Sequence, residues 1–421
     1  MIVRLPYGKN YLEASLPEER TTLLLSKSIH PVENLELEVE KALKKPINSP
    51  PLPELVKSAK IVTILIPDKT RNCPTKDILE SLLKLLRMTT EAEINILIAN
   101  GLHKPAIPSE IEELLGRDII SEYKVLNHNA LEQDQLLDLD IRTRYSTPIV
   151  INKLVIESDI VIGIGLIEPH FFAGYSGGRK IILPGVAGAT SIFSNHRYNM
   201  IAHPKARVGI LKGNPVHEDM MEFMKTTKLD FIINVIVNVE KKVGGVFVGD
   251  PVSAHLEGVK LLEKYVKIPY SRPTDIVITT NGGYPLDRDI YQAVKGMDTA
   301  ASVVKKGGVI IAAVECRDGL GGHEDFLRLV EGTSEPGEIL TRIIESEPIP
   351  DQWQAHILAR VMKKATIIVV SRSENEPLLK RLNMIPVKSL EEALEVAENI
   401  VGKKADITVI PEGPYIIPIA P

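Results

Sequence analysis

Residues 160–180 read IVIGIGLIEPHFFAGYSGGRK, an apolar run that passes directly into a segment rich in glycine, aromatic and cationic side chains. The run at residues 160–167 predicts a buried strand, because uncharged and largely β-branched residues suit a sheet that is covered on both faces. His170 then lies just beyond the carboxyl end of that strand, where open parallel sheets collect their ligands. The stretch therefore predicts a parallel α/β fold with a ligand site after this strand.

Flexible backbone and cationic side chains follow within the same stretch. Close approach by a bound group is allowed by three glycines, namely Gly174, Gly177 and Gly178. Arg179 offers a planar fork for an anion, whereas Lys180 offers a single amine. The alternative interpretation is an ordinary solvated turn. The presence of His170 in this segment, and of His196 after it, argues against a solvated turn.

Short apolar runs alternate with longer segments of helical period along the whole chain, which is typical of parallel α/β architecture. Further strands are predicted at residues 61–66, 94–99, 275–280, 308–314, 366–370 and 406–410. Helices are predicted at residues 75–86, 108–115, 352–364 and 390–401. His103, like His170, follows the carboxyl end of a predicted strand.

The segment Pro-Tyr-Ser-Arg-Pro at residues 269–273 interrupts the alternation and predicts a domain boundary. We expect an N-terminal α/β domain at residues 1–270 and a C-terminal α/β domain at residues 271–405. The tail at residues 406–421 is expected to return to the first domain. Both domains should have mainly parallel sheets flanked by helices, with the active site in the cleft between them.

Composition narrows the class of protein. The 421 residues carry 50 basic and 55 acidic side chains, so the net charge of −5 gives no reason to expect nucleic acid or an acidic membrane as a partner. Cys73 and Cys316 are the only cysteines, which excludes a disulfide framework. No apolar run approaches the ~18 residues that a membrane helix needs. We expect a cytoplasmic protein that binds a small molecule, and an oligomer is compatible with this composition.

A second cluster, DKTRNCP at residues 68–74, follows the predicted strand at 61–66. Arg71 could clamp a carboxylate or phosphate through two parallel hydrogen bonds, with Thr70 adding a hydroxyl group and Asp68 accepting from a sugar or orienting the arginine. In the alternative interpretation, Asp68 and Thr70 only cap the following helix.

A third cluster occupies residues 281–295 and includes Tyr291 and Lys295, which share one face of a predicted helix because they are four residues apart. A solvated lysine is the alternative interpretation of Lys295.

Taken together, these segments resemble the nickel-dependent lactate racemase family. The family pattern contains an Asp-x-Thr-Arg turn, a Gly-x-His-x-Pro turn, a Pro-His-x-x-Ala-Gly-x-Ser-Gly-Gly-Arg-Lys segment with a later Asn-His, and a Tyr-Gln-x-x-Lys helix. This chain supplies them at residues 68–71, 101–105, 169–180 with 195–196, and 291–295.

The resemblance implies a nickel pincer nucleotide, derived from nicotinic acid, which is held covalently by Lys180 through a thioamide and has His196 as the nickel ligand. It implies that His103 and His170 are the two acid/base groups. The further cofactor-binding residues that it implies are Asp68, Thr70, Ser176, Gly177, Gly178 and Arg179. The substrate-binding residues that it implies are Arg71, Tyr291, Gln292 and Lys295. The N-terminal domain would then hold the cofactor, and cofactor-synthesis proteins would be partners.

The reaction implied by the resemblance is racemisation or epimerisation of an α-hydroxy acid. The α-hydrogen of such an acid is a poor proton donor, so its reversible removal as hydride to an electrophilic ring carbon avoids a carbanion. One histidine takes the hydroxyl proton of one enantiomer, and the other histidine serves the opposite enantiomer. A nickel ion with sulfur and nitrogen donors fits the preferences of that metal.

Two departures from the family pattern concern the substrate. Arg71-Asn72 stands where the family commonly has Arg-Pro, and residues 102–105 read Leu-His-Lys-Pro instead of Thr-His-Arg-Pro. Leu102 removes a hydroxyl group, and Lys104 replaces a forked cation by a point charge. A substrate other than lactate is therefore plausible, and the sequence leaves the acid open.

Three rival functions stay open. A P-loop enzyme would need four residues between the glycines and Ser or Thr after the lysine, whereas Ile181 follows Lys180. A zinc or nickel hydrolase would use His103, His170 and His196 as direct ligands. A non-catalytic carrier of the cofactor would not need the acid/base histidines. Other histidines lack a comparable sequence context and are expected at the surface or at helix caps: His30, His128, His203, His217, His255 and His323.

Overall fold

A computed structural model describes residues 1–238 and 240–420 of the chain. The strands are β1 (Ile2–Tyr7), β2 (Asn10–Ser15), β3 (Thr21–Leu23), β4 (Ile61–Pro67), β5 (Glu93–Ala99), β6 (Lys124–Asn127), β7 (Leu136–Arg142), β8 (Pro148–Asn152), β9 (Ile160–Leu166), β10 (Pro169–His170), β11 (Gly174–Tyr175), β12 (Phe231–Val237), β13 (Val243–Gly249), β14 (Lys267–Pro269), β15 (Thr274–Thr280), β16 (Val304–Ala313), β17 (Ala365–Val370), β18 (Ile385–Val387), β19 (Ile407–Ile410) and β20 (Ile417–Ile419).

The helices are α1 (Leu35–Lys44), α2 (Leu52–Val56), α3 (Thr75–Arg87), α4 (Pro108–Leu115), α5 (Arg117–Glu122), α6 (Lys153–Glu157), α7 (Ala189–Asn195), α8 (Tyr198–Ile201), α9 (Pro215–Thr226), α10 (Ser253–Val266), α11 (Ile290–Val303), α12 (Glu324–Val330), α13 (Pro336–Glu345), α14 (Gln352–Met362), α15 (Glu376–Arg381) and α16 (Leu390–Val401). The α/β class with mainly parallel sheets is confirmed, and the predicted helices and strands are present with ends that differ by up to four residues. Within the described residues, no helix has the length and apolar character needed to cross a membrane.

The chain forms two compact units, and neither is a single continuous segment. We call Ser28–His196 with His203–Tyr265 the lysine unit, because it contains Lys180. Met1–Lys27, Arg197–Ala202 and Val266–Pro421 form the other, which we call the split unit.

The lysine unit is built on a six-stranded sheet with the order β13-β12-β9-β4-β5-β6. All neighbours run parallel except the edge strand β13, which is antiparallel to β12. The central strands read as continuous apolar runs because both faces are covered, and six of the seven residues of β4 are buried. Helix α3 covers part of this sheet with an apolar stripe of leucine and isoleucine residues, among them Ile78, Leu82 and Leu86.

The order of these strands reverses direction at β4. From β4 the chain moves to β5 and β6 on one side, whereas β9 and β12 lie on the other side. The chain connections after β4 and β9 therefore lead toward opposite edges of the sheet. Ligands of open α/β sheets bind at such a topological switch point.

The split unit has a second six-stranded sheet, in which all strands are parallel, with the order β18-β17-β16-β15-β19-β3. Two of its strands come from the ends of the chain. Strand β19 pairs with β15 on one side and with β3 on the other. This differs from the predicted domains, which assigned residues 1–27 and 406–421 to the N-terminal domain. The apolar residues of β19 are buried in the core of this sheet, and their burial stabilises the strand in this unit.

Candidate active site

Three segments of the lysine unit that carry predicted site residues follow neighbouring strands of its sheet. Residues 68–71 follow β4, residues 100–105 follow β5, and residues 168–180 follow β9. Because parallel strands end at the same edge, the sheet brings these loops to the switch point. The expectation that His103 and His170 each follow the carboxyl end of a strand is confirmed.

Asp68 and His103 form the best-defined pair at this edge. The Oδ2 atom of Asp68 lies 2.8 Å from Nδ1 of His103. Asp68 is buried, whereas 47% of the His103 side chain is exposed, so a ligand can reach the imidazole. Burial by itself would raise the pKa of Asp68, but the hydrogen bond from His103 and the charge of Arg71 hold it below its ordinary value. Asp68 is therefore ionised and holds one nitrogen of His103 in place.

The alternative in which Asp68 and Thr70 cap the next helix is wrong. Helix α3 begins only at Thr75, and it has no side-chain cap at its amino end. Asp68 Oδ1 instead accepts from the backbone nitrogen of Thr70 at 2.7 Å and also from the Thr70 hydroxyl group. The carboxylate thus organises its own turn and the His103 ring.

His170 lies in a short hairpin that pairs β10 with β11. Its ring stacks on Phe171 with 4.9 Å between ring centroids and meets Phe172 edge-on at 4.6 Å. Phe172 is buried, and it also meets the His196 ring edge-on at 5.0 Å. The structure therefore gathers His170 and His196, two of the predicted site residues, around one aromatic side chain that the sequence reasoning missed.

His196 directly follows the last residue of helix α7, Asn195. Its pKa falls to about 3, mainly because the ring is buried and also because of the positive charge of Lys180. The ring is consequently neutral at physiological pH. The preceding Asn195 has a structural role, since its amide group donates to Asp219 at 2.7 Å and to the Val216 carbonyl oxygen at 3.2 Å.

Lys180 lies in a 3₁₀ turn at Gly178–Ile181, directly after Ser176 and Gly177. Ser176 fixes the start of this loop, because its hydroxyl group donates to the Leu166 carbonyl oxygen at 2.7 Å and accepts from the Glu168 backbone nitrogen at 2.8 Å. Gly177 has φ +75°, a conformation that other residues adopt only with strain. The predicted glycine segment is therefore an ordered loop whose backbone is fixed by hydrogen bonds.

Arg179 points into the protein. Its side chain is buried, and Nη2 donates to the carbonyl oxygens of Ala173 and Tyr175, both at 2.8 Å. Burial lowers its pKa to about 9, so the guanidinium still carries its charge at neutral pH. The contacts of Arg179 thus hold the loop, whereas the sequence had suggested a direct handle for an anion.

Tyr291, Gln292 and Lys295 lie on helix α11 of the split unit. Tyr291 is buried, stacks on His323 with 3.6 Å between centroids, and accepts at its hydroxyl group from Trp353 Nε1 at 3.0 Å. His323 in turn lies 2.8 Å from Asp351, measured from Nδ1 to Oδ2. The expected shared helix is confirmed, and the network around Tyr291 is an addition that spacing alone did not indicate.

Two of the other histidines differ from their expected place at the surface or at caps. His128 and His255 are buried, and each makes a hydrogen bond to a backbone carbonyl oxygen. His255 approaches the loop that carries Lys180, as does Asn234 on β12. A signal for Asn234 was present in the sequence, because it is the single polar residue in the apolar strand FIINVIV.

Lys180 and His196 are the two side chains whose chemistry fits a metal-containing organic cofactor. Among residues 1–238 and 240–420, no group of three His, Cys, Asp or Glu side chains could hold a metal ion by itself. The buried neutral imidazole of His196 and the amine of Lys180 lie close enough for the lysine charge to lower the histidine pKa. One protein imidazole beside an amine suits an ion whose other ligands come from a lysine-bound organic group.

The same architecture occurs in solved structures. The lactate racemase apoprotein from Thermoanaerobacterium thermosaccharolyticum superposes with a TM-score of 0.95 and 38% sequence identity over 100% of both chains. A Thermotoga maritima protein with 18% identity has a TM-score of 0.69 and covers 94% of this chain and 100% of its own, a likeness in fold alone.

The matching sequences define the class of protein, which is an isomerase of the racemase type. The lactate racemase from T. thermosaccharolyticum is 39% identical to this chain, over 99% of this chain and 98% of its own length. The lactate racemase from Lactiplantibacillus plantarum is 38% identical to this chain, over 99% of both. Residues 7–209 match the family model of the lactate racemase N-terminal domain, and residues 270–417 match that of the C-terminal domain. The chain belongs to the lactate racemase family.

Proposed function

We propose that this protein racemises or epimerises a small α-hydroxy acid by means of a nickel pincer nucleotide attached to Lys180. Lactate is the first substrate to test, because both relatives are lactate racemases. Leu102 and Lys104, which depart from the family pattern, make a different acid the second. The observation that carries the proposal is that Lys180 lies near enough to the buried neutral imidazole of His196 for its charge to lower the pKa of that histidine.

In this proposal Lys180 attaches the cofactor covalently and His196 supplies the protein ligand to nickel. When bound, the cofactor would supply an electrophilic ring as the acceptor for the α-hydrogen of the substrate as hydride. The other proposed cofactor contacts are Asp68, Thr70 and the loop of Ser176, Gly177 and Gly178. The buried side chain of Arg179 stabilises that loop through its hydrogen bonds.

The chain itself handles the hydroxyl proton. His103, with Nδ1 fixed by Asp68, presents its other nitrogen to the substrate hydroxyl group of one enantiomer. His170 does the same for the other enantiomer. Arg71 binds the substrate carboxylate through its forked guanidinium, and Tyr291, Gln292 and Lys295 are proposed to complete the substrate contacts.

Intact-mass measurement of protein produced together with a cofactor-synthesis system, combined with nickel analysis, tests the proposal. We expect an adduct that maps to Lys180 and disappears in Lys180→Ala, with loss of racemisation. Lys212→Ala, which removes an exposed lysine of the same unit, is the control and should keep the adduct. Full activity in Lys180→Ala would refute the covalent assignment.

The metal assignment has a separate test. His196→Ala should keep the adduct on Lys180 but lose nickel on dialysis, because a thioamide does not need the imidazole. The control His203→Ala removes an exposed histidine and should keep nickel. Undiminished nickel in His196→Ala would make His203 the next candidate, and nickel without any organic chromophore would favour the metal hydrolase instead.

A further inference from the structure

The lysine loop, residues 176–180, is held by two side chains that lie outside the segment 169–180 itself. The first is Asn234 in the middle of β12, which is buried. Its Oδ1 atom accepts a hydrogen bond from the backbone nitrogen of Gly178 at 2.8 Å. This bond reaches the loop two residues before Lys180 and fixes the direction of the backbone there.

The second is His255, which is buried in the first turn of α10. Its Nε2 atom lies 2.8 Å from the Ser176 carbonyl oxygen, which can only accept, so Nε2 carries the proton. Burial, and then the charge of Arg179, lower the pKa of His255 to about 3, which keeps the ring neutral. Arg179 Nη1 lies 3.2 Å from the same Nε2. Both atoms are then donors, so the guanidinium makes its hydrogen bonds to loop carbonyl oxygens and none to His255.

The two side chains also touch the loop backbone sterically. A Cβ atom on Gly177 would lie 2.8 Å from Asn234 Oδ1, and one on Gly178 would lie 2.9 Å from Cγ of His255. Both glycines have positive φ, at +75° and +51°. Two adjacent glycines lose much conformational freedom when they are ordered, so contacts on both sides are needed to hold one conformation.

We propose that Asn234 and His255 are positioning residues that hold the lysine loop in the conformation in which Lys180 can receive its cofactor. This inference rests on the proposed function for its second half only. The first half, that these two side chains order the loop, concerns the protein without any cofactor and can be tested separately.

The first experiment measures hydrogen–deuterium exchange of the Gly178 amide in the protein without cofactor. Asn234→Leu and His255→Leu should each speed this exchange about fivefold, since a net buried hydrogen bond contributes about 1 kcal/mol. Asn234→Asp keeps an acceptor for Gly178, and His255→Gln keeps a donor for Ser176, so both should restore slow exchange. Asn234→Ala removes the acceptor without bulk and replaces Asn234→Leu if that variant aggregates.

A matched control removes a buried polar contact elsewhere in the same unit. Thr63 and Ser158 join their hydroxyl groups at 2.7 Å, and Ser158→Ala breaks that contact. This variant should lose stability without faster exchange at Gly178. If it speeds exchange as much as Asn234→Leu does, the effect is general destabilisation and the inference is overturned.

The second experiment measures the fraction of Lys180 that carries the adduct after a short co-production with the cofactor-synthesis system. The two leucine variants should be loaded about fivefold less than the wild-type protein, by the same free energy per hydrogen bond, and Asn234→Asp and His255→Gln should recover. Folded leucine variants that load like the wild type would overturn the inference. A wild-type protein without an adduct on Lys180 would instead refute the proposed function and leave the exchange result to decide the loop-ordering half.

Discussion

At the scale of single residues, the Asp68–His103 pair gives the clearest link between geometry and chemistry. An imidazole with one nitrogen held by a carboxylate has a defined tautomer, and its second nitrogen is free to exchange a proton with a ligand. The two residues are 35 positions apart, and only the pairing of β4 with β5 brings them together. The sequence predicted both residues but could not predict their contact.

Changing the carboxylate of this pair should reduce turnover without affecting cofactor attachment. In Asp68→Asn, the amide can donate to Nδ1 and so favour the wrong tautomer of His103, and we expect the racemisation rate to fall about 10²-fold or more. Chiral chromatography measures the rate, and intact mass checks that the adduct on Lys180 is unchanged. Lys69→Ala, a change at the exposed neighbour, should retain the wild-type rate. An unchanged rate in Asp68→Asn would show that His103 does not need its partner.

The two proposed acid/base histidines should differ in the enantiomer that they serve. His103→Ala and His170→Ala should each lower net turnover about 10²- to 10⁴-fold, because racemisation needs proton transfer on both faces. In a single turnover, however, each variant should still react with one enantiomer. Stopped-flow absorbance with each pure enantiomer of a confirmed substrate distinguishes them. Equal residual reactions with both enantiomers in both variants would reject the assignment of one histidine to each face.

Buried histidines make the lysine unit sensitive to acid, and His128 allows a direct test. Burial lowers its pKa from 6.5 to about 4. As pH falls from 6.5 to 4, His128 becomes protonated in the unfolded chain but stays neutral in the folded protein. The free energy of unfolding therefore falls. His128→Gln, which keeps a donor for the Ala187 carbonyl oxygen, should lessen this fall by up to about 3 kcal/mol, since a tenfold change in proton affinity is worth about 1.4 kcal/mol.

Denaturant titrations of the two proteins between about pH 4 and 7 measure this difference. His30→Gln alters an exposed histidine and should keep the wild-type pH dependence. Parallel curves for the wild-type protein and His128→Gln would contradict the prediction.

At the scale of helices and strands, the sequence predicted what local pattern controls. Apolar runs located the strands, and α4 and α16 begin and end at the predicted residues. Strand β16 is longer than expected, because its start at residues 304–307 is largely polar and carries no apolar signal. The contacts of Asn234 and His255 with the lysine loop depend on the packing of β12 and α10, and no spacing in the chain encodes them.

Helix α11 carries three of the proposed substrate-binding residues, and Asp289 caps its amino end. Asp289 Oδ1 accepts from the Gln292 backbone nitrogen at 2.7 Å. Asp289→Ala should lower the free energy of unfolding of the split unit by about 1 kcal/mol, the usual cost of a lost cap. Asp289→Asn retains an acceptor and should lose less. Thermal unfolding of both variants measures the difference, and equal losses would show that the cap does not stabilise α11.

At the scale of the whole molecule, the two units differ in how they use the chain. The lysine unit is interrupted once, by Arg197–Ala202, whereas the split unit is assembled from three segments. Strand β19, near the C-terminal end of the chain, lies between β15 and β3 rather than at an edge of its sheet. Apolar pattern marked residues 406–410 as a strand but could not indicate its neighbours, since pairing between such distant segments is decided by the sheet.

Removing residues 405–421 should therefore unfold the split unit and leave the lysine unit folded. The deletion separates β15 from β3 and exposes buried residues of the second core. Limited proteolysis with mass mapping should find cleavage throughout residues 270–404 and protection within residues 28–196. A chain that ends at Ile419 keeps β20 and should resist cleavage like the full chain. Protection of both units in the 405–421 deletion would contradict the assigned role of β19.

The division of the chain into these segments also sets an order in time during synthesis on the ribosome. All residues of the lysine unit have been polymerised once Tyr265 is added, when more than a third of the chain is still to come. At that moment the six-stranded sheet of the split unit has only β3, because its other five strands follow later. At typical translation rates the remainder takes roughly 10 to 30 seconds. The lysine unit can thus begin to fold before most of the split unit has been synthesised. A nascent chain halted in this interval already contains every residue proposed to attach the cofactor.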